Sequence, residues 1–197
     1  VNLKAIMCQW AVNETILDAL MLAILNHNSR MVRLLLNNKN INVNEVTIGK
    51  HFYENSLILY EEKYPLHKVV LDKNMEILKL LLSHQNIDVN VKYKSVKYYS
   101  YSPKNIINSW EKTALQFAIE IEDIDIIKIL LNHPKIDVNC KSLIFDAEED
   151  YNIESSPLYN ALNIGNIEII KLLLSHPNID VNQILLEQIE EIPSEKT

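Results

Sequence analysis

An eleven-residue phrase written four times constrains this chain more than any other feature. It reads LLLNNKNINVN from Leu34 to Asn44, LLLSHQNIDVN from Leu80 to Asn90, ILLNHPKIDVN from Ile129 to Asn139 and LLLSHPNIDVN from Leu172 to Asn182. The copies start 46, 49 and 43 residues apart. Self-similarity at that period marks a supersecondary unit that stacks on its neighbours to bury an apolar face it cannot bury alone. An array is therefore expected, not a closed globule.

The apolar pattern agrees. In Met75 to Ser83, Met75, Ile77, Leu78, Leu80, Leu81 and Leu82 leave only Glu76, Lys79 and Ser83 as a polar line at helical spacing. A helix of that kind must be covered over most of its circumference, as in the middle of a stack. The same line recurs as Asp125, Lys128, Asn132 and as Glu168, Lys171, Ser175. Each buried Leu or Ile contributes about 1.5–3 kcal/mol and an exposed ion pair about 0–1, so the repeated leucines are core.

Each later phrase follows a second recognisable segment: YPLHKVVLDKNMEILKLLL from Tyr64, TALQFAIEIEDIDIIKILL from Thr113 and SPLYNALNIGNIEIIKLLL from Ser156. Together these resemble the ankyrin repeat, with Pro65, Leu66 and His67 on its PLH, Gly165 on its turn glycine and each closing Val-Asn on its VN. The first copy, from Asp18, lacks the Pro and His. The resemblance implies an all-α solenoid of four helix-turn-helix repeats, 18–44, 64–90, 113–139 and 156–182, carrying extended loops or β-hairpin fingers. Residues 1–17 are read as an N-terminal capping helix or degenerate repeat, because Leu3, Ile6, Met7, Trp10 and Ala11 keep helical spacing. Residues 183–197 are read as a C-terminal cap and tail.

The turn after each second helix is one residue longer than the family pattern, written NKNI, HQNI, HPKI and HPNI. With two glycines in the whole chain, Asn and Pro are expected to turn the backbone there. His84, His133 and His176 recur at these helix ends, one per repeat, too far apart in a stack to share an ion. No metal or cofactor is implied.

No stretch approaches the 18 or more apolar residues needed for a membrane-spanning helix. Cys8 and Cys140 are far apart with no CxxC spacing, so a reducing, cytoplasmic compartment is expected. Beginning at Val1, the sequence reads as a piece of a longer chain. Its formal charge of -7 argues against general affinity for nucleic acid or anionic lipid. Neither GxxxxGK, HExxH nor GxSxG occurs, so no enzyme is expected.

Function should lie where the repeats differ. Three inserts, 45–63, 91–112 and 140–155, hold 19, 22 and 16 residues and most of the aromatic side chains. The second, VKYKSVKYYSYSPKN, alternates lysine or serine with tyrosine and valine, as an extended finger ended by Pro103 would. The third carries Asp146, Glu148, Glu149, Asp150 and Glu154. On one reading these fingers brace each other, lysine to acid. On the other, the basic aromatic arm binds another protein through Tyr93, Lys94, Lys97, Tyr98, Tyr99, Tyr101 and Trp110. Known ankyrin proteins bind partners through fingers and inner helices, and that resemblance adds His67, Lys68, Gln116, Phe117, Tyr159 and Asn160. The expectation is a protein–protein interaction module, a scaffold or adaptor, that binds its partner through a concave groove and the long aromatic fingers, as a monomer or within a larger assembly. Kept beside it are a passive structural subunit of a cytoskeletal or other assembly and a non-catalytic part of a longer enzyme. Strand tracking by nucleic acid would need the same arm, and the neighbouring acids disfavour it.

Overall fold

The computed structural model describes residues 5–6, 13–53, 56–147, 151–182 and 186–187. Among them are eight helices in four pairs: α1 Ala19–Leu25 and α2 Ser29–Leu36, α3 Pro65–Leu71 and α4 Met75–Leu82, α5 Ala114–Glu120 and α6 Ile124–Leu131, α7 Pro157–Ile164 and α8 Ile167–Leu174. The sequence marks their starts. Asp18, Asn28, Asn74, Thr113, Asp123, Ser156 and Asn166 each cap a helix by accepting a hydrogen bond from a first-turn amide, while α3 starts on Pro65. Such caps contribute about 1 kcal/mol each, which helices of seven or eight residues need because they are too short to persist alone.

Successive pairs pack side by side: α1 on α3, α3 on α5 and α5 on α7, with α2 on α4 and α6 on α8 behind them. Val69, Val70, Ile77, Leu78, Leu81, Ile119, Ile126, Ile127, Leu130 and Ile169 are fully buried between them. Glu76, Lys79 and Ser83 are exposed, as their spacing requires. The acids of that line reach to the preceding repeat: Glu76 lies 3.9 Å from Arg33 and Glu168 3.6 Å from Lys128. Both pairs are open to water and contribute little.

The closing Asn of each of the first three phrases sets the spacing to the next repeat. Asn44 Nδ2 donates to the Asn86 carbonyl at 2.7 Å while its Oδ1 accepts from the Asp88 amide at 2.9 Å. Asn90 does the same to Lys135 and Asp137 (2.8 Å each), and Asn139 to Asn178 and Asp180 at 2.7 and 2.9 Å. One side chain thus satisfies both a donor and an acceptor on the next turn, which only a primary amide of this length can do.

The long turns close without the left-handed residue expected of Asn. Each is a four-residue turn tied by an amide-to-carbonyl bond, from Ile41 to Asn38, Ile87 to His84, Ile136 to His133 and Ile179 to His176. Pro134 and Pro177 occupy the second position, where a fixed φ favours the turn. His84, His133 and His176 accept through Nδ1 from the amide two residues on, so they are turn residues. Left-handed backbone falls instead between the helices of each pair, at His27, Lys73, Glu122 and Gly165 (φ 49, 53, 51 and 81). A side chain there costs about 1 kcal/mol. Gly165→Ala, whose new Cβ would meet nothing within 4 Å, should therefore lower unfolding free energy by about 1 kcal/mol, and Lys73→Gly should raise it by about 0.5–1 kcal/mol, both measurable by urea titration.

The all-α expectation is overturned. Each insert is a β-hairpin: β3 Thr47–Phe52 with β4 Leu57–Lys63, β5 Lys92–Tyr99 with β6 Ser102–Thr113, and β7 Ser142–Asp146 with β8 Tyr151–Ser155. These six strands, with β2 Asn13–Leu17 and the two-residue β1 Ala5–Ile6 and β9 Leu186–Glu187 outside them, pair antiparallel in sequence order. The protein is an α stack plus an antiparallel sheet. The reason is dimensional: packed helices lie about 8–10 Å apart, and two strand spacings of about 4.8 Å cover the same distance, so the edge of one repeat's hairpin meets the next. Pro103 lies inside β6 and does not end the strand as expected. Most of the expected N-terminal helix and the C-terminal cap lie outside the described residues; where described, Ala5–Ile6, Asn13–Leu17 and Leu186–Glu187 are strand.

Candidate binding surface

Side chains of a strand alternate between faces, so the sheet divides the basic aromatic arm. Tyr93, Ser95 and Lys97 of β5 share a face with Trp110 and Asn108 of β6 and with Glu61 and Leu59 of β4, by cross-strand pairing. This face looks onto the first-helix row, because Tyr93 and Trp110 lie against Phe117 of α5. Lys94 and Val96 point to the other side.

At the base of the arm the aromatics are built into the fold. Tyr93 is 7% exposed and stacks on Trp110, centroids 5.1 Å apart and planes 5° from parallel, with Phe117 edge-on to both. His67 is fully buried beside them; its Nε2 lies 3.1 Å from the Lys112 carbonyl oxygen and 3.3 Å from the Tyr93 amide, so that by its tautomer it donates to the first or accepts from the second and ties α3 to one strand of the hairpin. Burial pushes its pKa down to about 4. With Nε2 donating to the Lys112 carbonyl, a second proton would have to sit on Nδ1, which has no hydrogen-bond partner. Gln116, also fully buried, completes a reciprocal cap with Thr113 and donates to the Ser155 carbonyl at 3.3 Å. Tyr93, His67 and Gln116 therefore position the sheet on the helices and offer no surface to a partner.

A polar network continues from this cluster onto β3 and β4. Glu61 accepts from the Tyr93 hydroxyl, from Lys63 Nζ at 2.6 Å and from His51 Nε2 at 3.0 Å. Burial alone would raise the pKa of Glu61, but the hydrogen bonds from Lys63 and Tyr93 outweigh it and hold the carboxyl below its ordinary value. The Tyr93 hydroxyl is pushed up by burial and by that carboxylate.

The expected lysine-to-acid bracing between fingers takes another form. Lys92 and Lys94 lie 3.9 and 3.6 Å from Glu111 of their own hairpin. Across the second and third hairpins, Asn108 Nδ2 donates to Asp146 Oδ2 at 2.8 Å and β6 pairs with β7. Glu148, Glu149 and Asp150 lie outside the described residues.

The hairpin tips differ from the bases. Tyr101 is 74% exposed and stacks on the half-buried Tyr99, centroids 5.2 Å apart. On the neighbouring tip Phe52 and Tyr53 are exposed, and the Ser100 amide donates to the Ser56 carbonyl at 2.7 Å, joining the two tips. Lys97 is exposed between them and the helices; Tyr98 is half-buried opposite Ile58, and Tyr159 is half-buried on α7. The Tyr99–Tyr101 stack, with exposed Tyr53 on the adjoining, hydrogen-bonded tip, forms the apolar feature best placed to meet another molecule. Phe52 and Tyr53 stand in the first insert, and only the pairing of β3 with β4 and of β4 with β5 shows that Tyr53, opposite Leu57, falls in line with Tyr99, while Phe52, opposite Ile58, falls in line with Tyr98.

Among the described residues, no group of three or more His, Cys, Asp or Glu is placed to hold a metal ion, and no helix is long and apolar enough to cross a membrane. A family model described as ankyrin repeats (3 copies) matches residues 20–142 and 91–184. No curated protein matches the chain.

Proposed function

This chain belongs to the ankyrin-repeat family, whose members are generally protein–protein interaction modules, and from that membership we propose that it is an adaptor capturing a protein partner on its joined hairpin tips and the groove beneath them. Tyr99, Tyr101 and Tyr53 are the anchors and Lys97 steers approach. The observation that carries the reading is the exposed aromatic stack of Tyr99 and Tyr101 on a tip tied to its neighbour, since a rigid, half-preorganised aromatic pair binds with little ordering cost. Affinity capture from a cell extract with the Tyr99→Ala/Tyr101→Ala chain tests it. Captured protein should fall by about 100-fold with the melting temperature unchanged; undiminished capture overturns the proposal.

One observation favours a second reading, a structural subunit of a larger assembly. Val43, Val89 and Val138 are buried to 1% or less, but the matching Val181 is 59% exposed, beside exposed Leu162, Ile167 and Leu174. If a neighbouring subunit covers that flank, sedimentation should show concentration-dependent association that Val181→Asp reduces.

A further inference from the structure

The two ends of the repeat array carry the two halves of one joint. A position buried in every repeat but the first faces the preceding repeat, and one buried in every repeat but the last faces the following repeat. Met31 is of the first kind: Ile77, Ile126 and Ile169 hold its place fully buried, whereas Met31 is 46% exposed, and Leu34 one turn on is 59% exposed. Leu162 and Val181 are of the second kind, since Ile24, Val70 and Ile119 are buried at the one place and Val43, Val89 and Val138 at the other. The polar contacts divide in the same way. Asn182 holds the place from which Asn44, Asn90 and Asn139 reach the next repeat, and its side-chain amide has no partner among the described residues. The groups it would reach are on the first repeat: the Asn40 carbonyl and the Asn42 amide stand where those of Asn86 and Asp88 meet Asn44. An apolar flank edged by an unused donor and acceptor is a surface to be covered, and the flank that matches it, position for position, is at the other end of the same chain.

We infer that the last repeat of one copy seats the first repeat of a second copy, tail to head, in the arrangement of the internal junctions, with the Asn182 side chain donating to the Asn40 carbonyl and accepting from the Asn42 amide. The sheet joins at the same place. β9 runs beside β8 as β5 runs beside β4, so β2 of the incoming copy pairs with β9, and the two-residue β1 that holds that edge of β2 gives way. Such an interface is heterologous, so copies add one after another. The inference rests on reading the Val181 flank as an assembly surface and names what covers it. Sedimentation of the full chain tests it: the average mass should rise at least about twofold between about 1 and about 200 µM. Leu34→Asp and Val181→Asp should each leave the chain monomeric with an unchanged melting temperature, because both side chains are exposed. Mixed in equal amounts, the two variants should form a dimer and nothing larger, since one intact head and one intact tail remain. Gln85→Glu, which adds the same charge within the second repeat and on neither flank, should associate as the parent does. Asn182→Ala should weaken association about fivefold. A parent chain that stays monomeric, or mixed variants that fail to pair, overturns the inference. Association abolished by Val181→Asp and untouched by Leu34→Asp also overturns it, because the tail then meets something other than the first repeat, and the assembly reading stands without it.

Discussion

Leu81→Ala is expected to lower the unfolding free energy by about 3–5 kcal/mol, the largest effect of any single truncation proposed for this protein. Leu81 has 0% exposure and belongs to the buried core on α4, which packs against α2 and α3. Removing three methylene-scale groups there opens a cavity that flanking repeats cannot close without shifting their own contacts. The phrase position alone does not set the cost. Val89→Ala should be clearly destabilising because Val89 is fully buried, whereas Val181→Ala, at the same place in the last phrase but 59% exposed, should change stability by less than about 0.5 kcal/mol. Urea unfolding of the three variants measures all three values. Equal losses at Val89 and Val181 would mean that burial is uniform along the array, contrary to the packing described.

Acidification should destabilise the protein through His67 by about 3 kcal/mol between pH 7 and pH 4. The folded pKa is about 4, below the 6.5 of an exposed imidazole, so within that window the unfolded chain binds a proton that the folded chain refuses. The stability is fully present above pH 6.5 and is lost as pH falls toward the folded value. Glu61 adds a further loss of the same sign, beginning as pH falls through the ordinary carboxyl value of the unfolded chain and continuing down through its lowered folded value. His67→Gln keeps a donor for the Lys112 carbonyl and cannot titrate. Its unfolding free energy should start lower at pH 7 and stay nearly flat to pH 5, and a slope equal to that of the parent chain would remove His67 from the explanation.

The helix pairs were legible because the information that makes them is local. The cap residues, the three-leucine run and the polar line each lie within one turn or two of what they specify. The sheet was not legible because the partner of each hairpin edge is an insert in another repeat, 40-odd residues away, and nothing in β4 alone says that Leu59 will face Lys97. Read singly, VKYKSVKYYSY suggests a free finger; beside β4 it is the middle of a sheet. The tyrosines show the same limit. Tyr93 and Tyr101 belong to one insert, yet one is buried and the other is the most exposed large aromatic described. A usable signal was present: Tyr93 stands three residues after Asn90 and Trp110 three before Thr113, so both flank the repeat and fall at the hairpin base, while Tyr99 and Tyr101 fall midway, at the tip. His67 and Gln116, carried over from the family resemblance as partner-facing residues, turned out to be interior because each satisfies backbone groups of the hairpin above it.

Pairing of the inserts of successive repeats into one sheet brings the two aromatic tips together and fixes which tyrosines are buried. Backbone nuclear Overhauser contacts between hairpins test it most directly. Contacts between Leu59 and Lys97 and between Trp110 and Ile144 are expected, with slowly exchanging amides along β4, β5, β6 and β7. Contacts confined within each hairpin, with its outer-edge amides exchanging freely, would contradict it.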